Sequence, residues 1–148
     1  MKFISISFSL LLATTTAATS INDFDEQVQQ VQLRGTPGTK RGKEWLSANQ
    51  AYINGSLDWD KTLKQKATAY AEQGANNNCQ LPTITNQGMI GYQGWGALAS
   101  PDTIFQSWES DPKINVKTLA NTKKVGCGDA KGSNGIMDCW VSACFFSN

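Results

Sequence analysis

Cysteine placement constrains this chain more than any other feature. Cys79, Cys127, Cys139 and Cys144 are the four cysteines of a 148-residue sequence that contains no histidine. An even count in a small exported chain reads as two disulfides, with three pairings open. A tetrahedral metal site needs C-x-x-C pairs or histidines, and here the closest cysteines, Cys139 and Cys144, have four residues between them. A cysteine nucleophile would lack the imidazole that normally activates it, and no Ser-His-Asp triad can form. Paired carboxylates remain. Asp58 and Asp60 are two apart at a helix start, where their side chains diverge, and capping and dipole roles account for both. No catalytic constellation is legible.

The N-terminus speaks to compartment. "MKFISISFSLLLATTTAAT" has Lys2, an apolar run from Phe3 to Leu12, then small residues. That run is too short to span a bilayer and fits a secretory signal over residues 1–18, with cleavage as late as Ser20; the competing reading is a membrane anchor. No later stretch is long and apolar enough to cross a membrane. Residues 19–41 are glutamine-rich and end in a Pro/Gly turn followed by Lys40-Arg41, the pattern of a flexible pro-segment cut by a kexin-type protease. The alternative is an uncut N-terminal arm. Cleavage would leave Gly42 to Asn148, 107 residues with nine lysines and nine acids. That balance argues against a nucleic-acid partner, which needs a basic excess on one face. The length fits one small domain that cross-links would help. The expectation is a secreted, extracellular monomer.

Periodicity predicts helices first and strands last. "KEWLSANQAYI" spaces Trp45, Leu46, Asn49, Tyr52 and Ile53 as one helical face, and Asn54-Gly55 stops it. "LDWDKTLKQKATAYAEQGA" puts Trp59, Leu63, Ala67, Tyr70 and Ala71 on another, ending at Gly74. "SPDTIFQSW" is a third helix with Ser100 as N-cap, Pro101 in the first turn, and Ile104, Phe105 and Trp108 inward. "NQGMIGYQGWGAL" reads as a short strand or a ligand-facing surface. "KINVKTL", "KKVGCG" and "IMDCWVSACFF" read as antiparallel strands. The whole is α+β. Asn54-Gly55-Ser56 is a sequon, so Asn54 is a candidate glycosylation acceptor.

The order of these pieces resembles the CAP superfamily of cysteine-rich secretory, antigen five and pathogenesis-related class 1 proteins. "LSANQAY" stands where that family has LxxHNxxR, "SLDWDKTLKQKATAYAEQ" where it has LxWDxxLxxxAxxYA, "NTKKVGCG" at its T-x-VGCG strand, and "CWVSACFFSN" at its closing strand. The resemblance spans Lys43 to Asn148 and implies an α-β-α sandwich of the CAP/SCP type with a small antiparallel sheet. It also implies disulfides Cys127–Cys144 and Cys79–Cys139, each closing a loop worth about 3–4 kcal/mol by the chain-entropy estimate.

The departures bear on function. Family members often hold zinc with two histidines and two acids in a central cleft. Alignment on the motifs brings those four positions to Thr83, Tyr92, Asp111 and Lys113, and a charged lysine cannot ligate a metal. Only Pro112 stands where many members have a long loop, which in fungal members carries a sterol-associated motif. The resemblance therefore implies no cofactor and no metal. It points to a non-enzymatic protein with a degenerate cleft, an effector or defence-related protein acting on an unidentified protein or cell-surface partner. The alternatives are a sterol or fatty-acid binding module, with Leu63, Tyr70 and Ile104 as apolar walls, and a small secreted hydrolase using carboxylates.

Overall fold

In the computed structural model, residues 37–81 and 88–148 are described, all within one compact unit, Val31–Asn148. The expected signal segment and Thr83 lie outside the described residues. Three helices start on a side-chain cap. Helix α1 is Lys40–Tyr52, and the hydroxyl of Thr39 accepts from Gly42 N at 3.1 Å. Helix α2 is Lys61–Asn76, where the Asp60 carboxylate accepts from Thr62 N and Leu63 N at 2.8 and 2.9 Å. Helix α3 is Pro101–Ser110, where Ser100 accepts from Thr103 N at 3.1 Å. Each cap satisfies amide donors that the first turn leaves open.

Four strands follow the order β1-β3-β4-β2. They are β1 Asp58–Trp59, β2 Met89–Trp95, β3 Lys124–Ser133 and β4 Asp138–Ser147. β3 and β4 form a hairpin, and β2 pairs antiparallel to β4. β1 pairs parallel to β3, so the sheet is mixed rather than purely antiparallel. The α+β arrangement, with helices N-terminal and most strands C-terminal, is the expected one.

Local structure departs from the expected periodicity at three places. Trp59 does not sit on the second helix. It pairs with Val125 in β1, buried, and the helix starts only after Asp60 caps it. Gly74 is inside that helix, buried, and the helix runs on to Asn76. "KINVKTL" is not a strand but contains a 3-10 turn, Val116–Leu119, because the Asn115 carboxamide oxygen accepts from Lys117 N at 3.2 Å. Val116 and Leu119, three apart, then point together into the core. Lys40, Arg41 and Gly42 lie in the first turn of α1.

Alternation along β3 divides the molecule into layers. Val125, Cys127 and Asp129 point to the side of α1 and α3, where Trp45, Ile104, Phe105 and Trp108 form the larger core with Val125, Cys127, Cys144 and Phe146. Trp108 packs edge-on to Phe105 at 4.8 Å and donates from its indole to Gly91 O at 2.8 Å, fastening α3 to β2. The other side of β3 presents Gly126, Gly128 and Gly132 to α2. A Cβ at Gly126 would lie 2.7 Å from Asp60 O, one at Gly128 2.6 Å from Thr68 Cα, and one at Gly132 2.9 Å from Ala75 Cα. α2 answers with Ala67, Ala71 and Ala75, at intervals of four and all buried. Small residues on both partners bring backbone against backbone, giving an α-β-α sandwich.

The disulfides lock the same layers. Cys127–Cys144 joins register partners in β3 and β4, and Cys79–Cys139 ties the chain beyond α2 to the start of β4. Both pairs are those the family resemblance implies. Replacing Gly126 by alanine should cost at least about 3 kcal/mol, the upper end for overpacking, because a backbone and not a flexible side chain must yield. Urea unfolding at unchanged m would show it, and a loss below about 1 kcal/mol would contradict the close packing.

Candidate functional site

The polar centre of the domain is Asp129, which the sequence did not single out. It lies in β3 two residues after Cys127 and so on the same face, with its side chain one-tenth exposed. Its carboxylate accepts from four donors on two elements, α1 and β4. Arg41 of α1 reaches it twice, from Nε at 2.9 Å and Nη2 at 3.0 Å. The Trp45 indole donates at 2.9 Å, and the Ser142 hydroxyl of β4 donates at 2.6 Å. The guanidinium also lies 5.2 Å from the Trp45 ring centroid. A bidentate, charge-assisted pair with two further bonds is among the stronger polar arrangements available to a surface-edge site. Both oxygens of Asp129 are engaged, so this carboxylate holds α1 against the sheet.

Register places Tyr92 in the same row, because Ser142 is the partner of both Asp129 and Tyr92. The ring of Tyr92 folds along β2 over Gly94, where a Cβ would lie 2.8 Å from Cε1. Asp111 caps the C-terminus of α3, and its Oδ1 accepts from Lys113 N at 2.9 Å. The side chain of Lys113 is exposed and makes no ion pair with Asp111. The cleft positions within the described residues are therefore a half-buried phenol, a turn-forming carboxylate and an exposed ammonium. Zinc has no fitting donor set there, and among the described residues no three His, Cys, Asp or Glu side chains cluster as ligands would. The apolar walls also separate. Ile104 belongs to the core under α1 and α3, while Tyr70 packs against Phe145 on the α2 face, at 6.0 Å between ring centroids. Leu63, Tyr70 and Ile104 cannot line one cleft.

Two asparagines are committed to structure. Asn49, fully buried, donates from Nδ2 to Trp45 O at 2.7 Å and to Cys127 Sγ at 3.3 Å, bracing the helix against the cross-strand disulfide. Asn54 of the sequon donates to Ala120 O at 3.0 Å and Thr122 O at 3.2 Å, and its Oδ1 accepts from Ser56 N and Oγ. The amide nitrogen that would carry a glycan thus pins the connection into β3. For the cleft, calorimetric titration of the purified chain with zinc should give no stoichiometric binding in the micromolar range. Stoichiometric micromolar binding would overturn the assignment of these positions.

Comparison with known proteins agrees with this geometry. The family model described as the cysteine-rich secretory protein family, CAP, matches residues 33–145. Among solved structures the chain is similar to the crystal structure of MpPR-1i, with 19% identity and a TM-score of 0.50, covering 86% of this chain and 88% of that one. A crystal structure of MpPR-1i soaked with selenourea for 10 min has 20% identity and a TM-score of 0.48, covering 86% and 92%. At 19% identity the first likeness speaks for the fold alone. A search of curated protein sequences returns no match. With the motif order, both disulfides and the α-β-α layering in place, the family match over most of the sequence is decisive: the chain belongs to the CAP family.

Proposed function

We propose that this is a secreted, non-enzymatic CAP-family protein that acts through contacts with a protein or cell-surface partner. The observation that carries the reading is the position of its exposed apolar residues. Trp95, Ile136 and Met137 are 43%, 87% and 52% exposed. Trp95 ends β2, and Ile136 and Met137 belong to the β3–β4 turn. The hydrogen bond from Gly96 N to Asp138 O, 2.9 Å, brings these two segments together at one end of the sheet. Apolar side chains gathered at one end of a small domain are a contact surface rather than a core. The fully engaged carboxylate of Asp129 and the turn role of Asp111 support the non-enzymatic part.

Immobilised full-length chain should capture an extracellular protein saturably, and an Ile136→Asp, Met137→Asp double variant should lose most of that capture. Saturable capture that the variant leaves unchanged would remove this surface from the function. Binding of labelled sterol or fatty acid at micromolar concentration, without a protein partner, would instead favour a lipid-binding module.

A further inference from the structure

The dibasic pair Lys40-Arg41 has the residue types that a kexin-type endoprotease recognises, yet the fold holds them in an unusual way. Such a protease grips an extended chain and draws the basic side chain before the scissile bond into an acidic pocket. Here Thr39 to Gly42 is the capped first turn of α1, with the Thr39 hydroxyl bridging to Gly42 N across the Arg41–Gly42 bond. Gly42 is itself buried, and a Cβ on it would lie 2.8 Å from Pro37 Cβ. Lys40 is exposed, its side chain 93% in solvent with a 3.9 Å pairing to Glu44 Oε1. Arg41 is held: its guanidinium bonds Asp129 twice, lies by the Trp45 ring and stands 3.9 Å from Glu44 Oε2.

Helix first turns usually fray at little cost, and fraying alone would open this bond to a protease. What distinguishes this turn is the pairing of Arg41 to a largely buried carboxylate that also accepts from Trp45 and Ser142. To be cut, Arg41 must leave both oxygens of Asp129, and the part of that carboxylate it neutralised is left without its counter-ion. The same acidic group and the protease pocket compete for one guanidinium, and the intramolecular partner is already in place.

We propose that Arg41 is a fold-gated cleavage site: a dibasic-specific protease cuts the Arg41–Gly42 bond only while Arg41 is off Asp129. Folded chain keeps the segment before Gly42, and unfolded or loosened chain loses it. The cut is hydrolysis, one water adding across the C–N bond to leave a carboxylate on Arg41 and an ammonium on Gly42. The product lacks the counter-ion of Asp129, so cleavage also removes a tie between α1 and the sheet. This inference is independent of what the protein binds.

The test is digestion of full-length chain with a kexin-type protease, read by intact mass, comparing each protein folded with the same protein reduced and alkylated. Folded wild type should be cut after Arg41 at least about a hundredfold more slowly than its alkylated form, since cutting must wait for local opening. Asp129→Asn should reduce that protection to about tenfold or less. Arg41→Lys keeps a dibasic pair but cannot make the two-bond fork, and should lose protection too. Near-UV circular dichroism establishes that each variant is folded, and Arg41→Lys decides the matter should Asp129→Asn not fold. Folded wild type cut as fast as its alkylated form would overturn the proposal. Folded variants protected as fully as wild type would overturn the role of the Arg41–Asp129 pair.

Discussion

Strand β3 is two different surfaces on one backbone, and the fold rests on that division. One side of "VGCGDAKG" has no side chains at Gly126, Gly128 and Gly132, so the alanine-lined α2 lies directly on its backbone. The opposite side carries Cys127 and Asp129, and each makes a bond that joins elements. Cys127 ties β3 to β4 covalently, and Asp129 ties β3 to α1 and β4 through charge-assisted hydrogen bonds. A shift of one residue in register would exchange the two surfaces, burying Cys127 and Asp129 against α2 and facing glycine to the aromatic core. Disulfide and carboxylate therefore fix register as well as adding stability.

This division also explains what became of the cleft. Positions that resemblance places at a metal site hold a tyrosine folded over its own strand, an aspartate closing a turn and a lysine in solvent. Asp129 stands apart from those positions, and both its oxygens accept from groups of the same chain.

Much of the fold was legible because its signals are local. The caps at Ser100 and Asp60, the proline opening α3 and the Gly-punctuated strands are each written within a few residues. The remaining features depend on bonds that hydrophobic spacing does not report, some local and some distant. Trp59 has helical spacing relative to Leu63, but β3 captures it as a parallel partner and Asp60 caps the helix after it. "KINVKTL" alternates like a strand, but the Asn115 side chain offers its amides a tighter turn. The bond of Arg41 to Asp129 is not announced locally either, since the acid lies 88 residues away. The single clue was Asp129 itself, an acid among small residues on the face shared with a buried cysteine.

Arg41 and Asp129 act as one structural unit across α1 and β3. A double-mutant cycle with Arg41→Ala, Asp129→Ala and the double variant, read by urea unfolding of the full-length chain, tests it most directly. A coupling of about 1–3 kcal/mol between the two positions is predicted. Additive losses, with coupling below about 0.5 kcal/mol, would contradict it.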